Sequence, residues 1–158
     1  MLDTEAVNYI AICRLQDAYA DAVTRRAWSE FEDMFRPDAT VRVDTVTNPA
    51  VELVGGPAVA AFIAGAIERY EFFEFVILNR RVEFHYGDAG HASARVFTCE
   101  LRQEAATGHW TNTFGVYHDR YDQMDGRWRF AQRRYQSLAR TGRAVVFPFP
   151  VDDALGEE

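Results

Sequence analysis

The residues most able to do chemistry in this chain are a few phenols, one strand carboxylate and a basic terminal strand. Tyr19 lies on the apolar stripe of an N-terminal helix pattern, and Tyr117 stands on a long strand pattern. A phenol in an apolar pocket can orient a carbonyl or donate a proton. Glu100 and Asn79 are polar residues whose strand parity can turn them inward. A desolvated Glu100 would have a raised pKa and could serve as a general base; outward, it would pair with Arg95. The last strand carries Arg127, Arg129, Arg133, Arg134 and Arg140, with Arg143 just beyond. Such a run reads first as a solvated face paired with neighbouring carboxylates. Alternation from Trp128 and Phe130 places Arg134 on its apolar side. Any guanidinium that is buried must be paired or meet an anionic ligand.

Other chemistries lack their residues. The histidines are His85, His91, His109 and His118. His85 and His91 flank a Gly87-Asp88 turn, His109 opens a strand beside Trp110 near the expected cavity mouth, and His118 has the parity opposite to Tyr117. No pair has zinc spacing, so no metal is expected. There is no GxGxxG, P-loop or GxSxG, so no nucleotide cofactor is expected and serine hydrolysis lacks its motif. Cys13 and Cys99 form no disulfide framework, which fits a cytoplasmic protein. The net charge of −7 weighs against nucleic acid and anionic membranes. MLDTEAVNYI does not read as a signal peptide, and no apolar run is long enough to span a bilayer.

These residues need a scaffold, and its centre is Thr111 to Arg140. Two strands, Thr111–Tyr121 and Trp128–Ser137, are expected to join at Gln123-Met124-Asp125-Gly126, because Asp-Gly suits the two left-handed positions of a type I′ turn. A ribbon like this needs further strands and an apolar cover. The cover is an amphipathic helix over 4–26, in which Ile12, Leu15, Tyr19, Ala22 and Val23 recur at helical spacing. Thr4 can cap it, and Asp21 and Arg25 pair on its wet face. Trp28, Phe31, Met34 and Phe35 read as a second short helix that stops before Pro37. Strands follow at Ala39–Thr45 and Val51–Val54, then a helix at Ala58–Tyr70 with Pro57 in first position. The rest is strand: Phe72–Tyr86, Ala92–Gln103 and the hairpin. The tail VVFPFPVDDALGEE is too Pro-rich for helix. One domain spans 1–158, with its core at about 4–140 and a C-terminal tail at 141–158. Helices first and strands later give an α+β fold, a long curved antiparallel sheet wrapped over the helices around a cone-shaped cavity. Trp28, Phe62, Phe73, Phe75, Ile77 and Val96 are expected to line it, with Asn79, Thr98 and Trp110 as further ligand contacts.

The segments LQDAYADAVTRRAWSEFEDMFRPDATVRV, VGGPAVAAFI, VILNRRVEF and FGVYHDRYDQMDGRWRFAQRRY, in that order, resemble the SnoaL-like branch of the nuclear-transport-factor-two-like superfamily. That branch includes polyketide cyclases, scytalone dehydratase and hexachlorocyclohexane dehydrochlorinase, and the resemblance covers about 4 to 140. It implies a hydrophobic, cyclic or polyketide-like small molecule in the cone. It also implies dehydration, isomerisation or cyclisation without a cofactor, and a homodimer paired through the outer sheet face. Family members work through a His–Asp pair. The matching positions here hold Phe75 and Thr24, so that pair is replaced. The resemblance assigns the charge-stabilising role on the last strand to Arg133, with Tyr135 two residues on. It thus disagrees by one residue with simple alternation, and a bulge would reconcile the two. On this reading Arg133 is a polar handle whose loss costs turnover and not stability. Two alternatives stand beside the enzyme: a non-catalytic ligand-binding or assembly protein, and the small subunit of a ring-hydroxylating dioxygenase.

Overall fold

The computed structural model describes residues 4–85 and 90–142. The Gly87-Asp88 turn, Arg143 and the Pro-rich tail lie outside the described residues. In chain order the elements are α1 (Thr4–Arg25), a 3-10 turn (Trp28–Glu30), α2 (Phe31–Met34), β1 (Phe35–Asp44), β2 (Val51–Val54), α3 (Gly56–Ile67), β3 (Tyr70–Phe84), β4 (His91–Glu104), β5 (Trp110–Met124) and β6 (Arg127–Arg140). Thr4 already lies within α1. The second helix stops one residue earlier than expected, and Phe35 and Pro37 begin β1 instead. The third helix is shifted towards the N-terminus, which leaves Tyr70 to start β3.

The six strands form one curved sheet in the order β2-β1-β6-β5-β4-β3. Every pairing is antiparallel except β1 with β6, which is parallel. The β5–β6 hairpin closes at Asp125 and Gly126, with φ of 51° and 74°, as a type I′ turn requires. Ladder pairing at Met124↔Arg127 leaves only those two residues in the turn.

Curvature comes from bulges. Along β6 the pairing steps from Tyr121↔Phe130 to Arg120↔Gln132, leaving Ala131 unpaired. A second slip, from Gly115↔Ser137 to Phe114↔Ala139, leaves Leu138 unpaired. On β3 the step from Ile77↔Thr98 to Asn79↔Phe97 does the same at Leu78. Each extra residue bends the strand and reverses which parity faces inward.

α1 crosses the concave face. Ile12, Tyr19, Ala22 and Val23 are buried there. Tyr19 is the hub of the core, with ring centroids of Phe31, Phe75 and Phe130 at 5.3, 5.5 and 5.7 Å. Such tilted and edge-on contacts are the favourable geometries for aromatic pairs. Polar ties hold the helix in place. Gln16 Nε2 donates to the Tyr121 hydroxyl at 2.8 Å, and Trp128 Nε1 donates to Asn8 Oδ1 at 3.2 Å. The Asp21–Arg25 pair forms on the wet face at 2.7 Å.

Candidate functional site

The inner face of the sheet can be read as rows across β4, β5 and β6. The first row is Glu100, Thr113 and Arg140; the next is Thr98, Gly115 and Ser137; then Val96, Tyr117 and Tyr135; then Ala94, Asp119 and Arg133. The last two rows continue onto Val43 and Val41 of β1. A cavity of about 390 Å³ lies against the first three rows. Val23, Val41, Val43, Val59, Phe62, Ile63, Ile67, Phe73 and Phe75 make its apolar wall. Tyr19 and Tyr117 meet it, and Glu100, Arg102, Thr113, Tyr135, Ser137 and Arg140 form its polar side.

The row of Asp119 and Arg133 lies behind the tyrosines. Arg133 faces inward because the Ala131 bulge reverses parity, so alternation from Trp128 and Phe130 fails and Arg134 sits half-buried opposite His118. Arg133 is 2% exposed and Asp119 is 0% exposed. Arg133 Nε donates to Asp119 Oδ1 at 2.8 Å and Nη2 to Oδ2 at 3.2 Å. Tyr121 donates to Asp119 Oδ2 at 2.7 Å. The guanidinium carbon lies 4.2, 4.0 and 4.2 Å from the ring centroids of Tyr19, Tyr117 and Phe130. Arg133 is therefore absent from the cavity wall, and its charge is already met by Asp119. The expectation that it is a handle removable without loss of stability gives way to a buried ion pair.

Burial pushes the Tyr19 hydroxyl up, against the pull of the Arg133 charge and a hydrogen bond from Tyr117. Burial also raises Tyr117 strongly, and raises Tyr135 with help from the charge of Glu100. Phenols shifted this way stay protonated at neutral pH and act as donors. Tyr135 lies flat against β5 only because Gly115 has no side chain: a Cβ there would come within 2.2 Å of the ring. Ser137 donates to the Tyr135 hydroxyl at 3.3 Å.

Glu100 turns inward onto the cavity. Burial raises its carboxyl, partly opposed by the charges of Arg102 and Arg140. The alternative pairing with Arg95 does not form, because Arg95 stands on the opposite face across from His118. The guanidinium nearest to Glu100 is Arg102, at 3.8 Å.

Thr24 and Phe75 do meet. The Phe75 backbone N–H donates to Thr24 Oγ1 at 3.0 Å, while the Phe75 ring packs on Tyr19 and on Tyr117. Of the expected lining residues, Phe62, Phe73 and Phe75 are on the wall. Val96 and Thr98 are buried on the inner face away from it, and Thr98 Oγ1 donates to the Gly115 carbonyl. Trp28 packs on Phe31 instead. Ile77 packs against the core, and the Leu78 bulge turns Asn79 out to solvent. Trp110 is 58% exposed and packs at a tilt against Phe72. A His–Asp contact exists at His91 and Asp122, 2.6 Å apart, but on the convex side. No cluster of His, Cys and carboxylates able to hold a metal occurs among the described residues.

Asp119, Arg102, Thr113, Ser137 and Arg140 were missed by sequence reasoning. Arg140 was assigned to a solvated face. Its inward turn follows from the Leu138 bulge, which no local sequence pattern announces.

A SnoaL-like domain family matches residues 5–134. A comparison with curated protein sequences gives no match. Among solved structures, a provisionally named scytalone dehydratase from Novosphingobium aromaticivorans superposes with a TM-score of 0.79 at 20% identity, over 97% of this chain and 100% of that one. A hexachlorocyclohexane dehydrochlorinase, LinA type 2, gives 0.75 at 18% identity, over 92% and 96%. A provisionally named aromatic ring hydroxylase from Novosphingobium aromaticivorans gives 0.69 at 20% identity, over 82% and 88%. At these identities the likeness establishes the fold.

Proposed function

The chain belongs to the SnoaL-like family, and from that premise we propose that it is a cofactor-independent lyase or isomerase acting on an apolar, cyclic or polyketide-like small molecule. One observation carries the reading: Glu100 is the only carboxyl on the cavity wall among the described residues, and burial raises its pKa, which strengthens it as a base once ionised. It stands opposite Phe75 in the β3–β4 ladder, so an acid–base group lies one strand away from the position where the family keeps its histidine. Cross-strand partners place their Cβ atoms about 5 Å apart.

The chemistry follows from the groups present. Glu100, ionised, takes a proton from carbon adjacent to a ketone. The C–H electrons move to the ketone oxygen, which becomes an enolate held by the Tyr135 hydroxyl. The new carboxylic acid then returns the proton to the opposite face or to the far carbon of a conjugated enolate, which isomerises the substrate, or to a hydroxyl on the β-carbon, which leaves as water as the enolate electrons form the new C=C bond. Two of the structural neighbours bear names of elimination enzymes, which supports the elimination arm. As finer points of the same reading, we place the protein in the cytoplasm as a homodimer. Both cysteines are free thiols, and exposed Phe114, Leu78 and Val54 leave apolar surface on the sheet.

The test is deuterium exchange next to the ketone of 2-tetralone, followed by NMR in deuterated buffer. Wild type should exceed buffer, and Glu100→Gln should lower the enzymatic rate by about a hundredfold or more. Unchanged exchange in Glu100→Gln removes Glu100 from the mechanism. Exchange no faster than buffer for wild type favours the second reading, a passive binding protein. The direct contact of Thr24 with Phe75, where the family's acid–base pair would be, argues for that reading.

A further inference from the structure

The charges on the cavity wall do not balance. Arg69, Arg102 and Arg140 face it with Glu100 alone opposing them among the described residues, in a chain whose net charge is −7. Arg69 is largely satisfied: Nη2 donates to the Tyr70 hydroxyl at 2.7 Å, and Glu104 lies 3.9 Å away. Arg140 is different. Its terminal nitrogens donate only to neutral oxygens: Thr47 Oγ1 at 3.4 Å, the Thr45 carbonyl at 3.2 Å and Ser137 Oγ at 3.5 Å. It makes no ion pair among the described residues. Three polar atoms on this side are buried with no hydrogen-bond partner: Arg140 Nε, Arg102 Nε and Thr113 Oγ1. Thr113 is 3% exposed. Unmet buried donors cost free energy, and more when they carry charge.

We infer that the cavity takes an apolar molecule bearing a carboxylate, held between Arg102 and Arg140 with the Thr113 hydroxyl as a further donor. The inference rests on the proposed small-molecule site and specifies its ligand. Two guanidiniums present planar donor edges suited to a two-oxygen anion. Arg102 stands two residues along β4 from Glu100, and Thr113 and Arg140 continue the Glu100 row on β5 and β6. The donors that lack partners therefore surround one spot on the sheet. The rest of the wall is aliphatic and aromatic, so the ligand's remaining surface must be apolar. Glu100 does not remove the imbalance. Burial favours its neutral form, and one carboxylate could not offset two guanidiniums even when ionised.

The test uses matched probes in titration calorimetry on the full chain at pH 7.5: 2-naphthoate against 2-naphthamide, and decanoate against decanamide. Each acid should bind about tenfold or more tightly than its amide. Arg140→Gln, and separately Arg102→Gln, should erase most of that preference and leave amide affinity near wild type. Arg140→Lys should keep part of it. Thermal melts establish that each variant is folded, and two arginines give two independent routes if one variant fails. Equal binding of acid and amide overturns the inference while leaving the apolar cavity as a ligand site. So does an acid preference that survives both substitutions. No binding of any probe overturns the inference and the small-molecule reading together. Loss of exchange in the Glu100→Gln experiment leaves the acid preference untouched, so the two proposals fail separately.

Discussion

Replacing Arg133 with Met should unfold this protein more readily, and the size of the effect follows from its surroundings. The substitution strands Asp119, which has no exposed surface, with the Tyr121 hydroxyl as its remaining close donor. Removing one partner of a buried ion pair costs about 3–5 kcal/mol. For a chain of this length each kcal/mol moves the thermal midpoint by about 2–4 °C, so a fall of about 6–20 °C is expected. Loss of the guanidinium from between the Tyr19, Tyr117 and Phe130 rings adds to it. Removing both charges in Asp119→Leu/Arg133→Met should restore more than half of the loss, because the uncompensated charge is the main cost. Arg134→Met, on the other face of the strand, should cost clearly less than Arg133→Met, because no fully buried carboxylate is stranded by it. Melting followed by circular dichroism, with urea titrations, reads all four proteins. A folded Arg133→Met variant melting within about 2 °C of wild type would refute the claim that the pair is a structural necessity, and would return Arg133 to the role of a removable handle.

Glu100 gives a prediction with a definite sign in pH. Its carboxyl is raised in the folded protein, so the native state binds more protons than the unfolded chain between the ordinary carboxylate range and the raised value. Stability is fully present below the ordinary range and falls as pH rises through that window. Glu100→Gln, which cannot ionise, should therefore melt about 2 °C or more above wild type at pH 8, with the gain vanishing near pH 4. A gain of equal size at both values would contradict the assigned cause. Light scattering coupled to gel filtration should give a homodimer at micromolar concentration, and a monomer there would refute the sheet-face pairing.

Much of the fold was legible because its signals are local. Asp125-Gly126 announced the hairpin, and the 3.6-residue recurrence of Ile12, Leu15, Tyr19 and Val23 announced the helix that covers the sheet. Which side chains face the cavity was harder. Period-2 reasoning holds along a strand until a bulge, and then every later residue is assigned to the wrong face. Phe73 and Phe75 precede Leu78 on β3 and lie on the cavity wall, while Asn79 follows it and is exposed. On β6, Arg133 and Tyr135 lie past the first bulge, and a resemblance, not alternation, placed them inward. Arg140 lies past the second, and nothing local marked it. Bulges answer to the curvature of the whole sheet, which depends on partners far along the chain.

The same rows bear on the two positions that the resemblance matches to an acid–base pair. Phe75 fills its position with edge-on and tilted contacts to Tyr19 and Tyr117, at 5.5 and 5.9 Å, and its backbone is tied to Thr24. An imidazole there would lose apolar contact and find a hydroxyl where it needs a carboxylate. In the deeper row Asp119 and Arg133 neutralise each other, so neither charge is available to a ligand. Among the described residues, the charged groups that face the cavity are Glu100, which stands across from Phe75, and Arg69, Arg102 and Arg140. The contact between Thr24 and Phe75 carries no charge, and Glu100 lies one strand over from it. Under the proposed function, acid–base chemistry in this cavity therefore starts from Glu100.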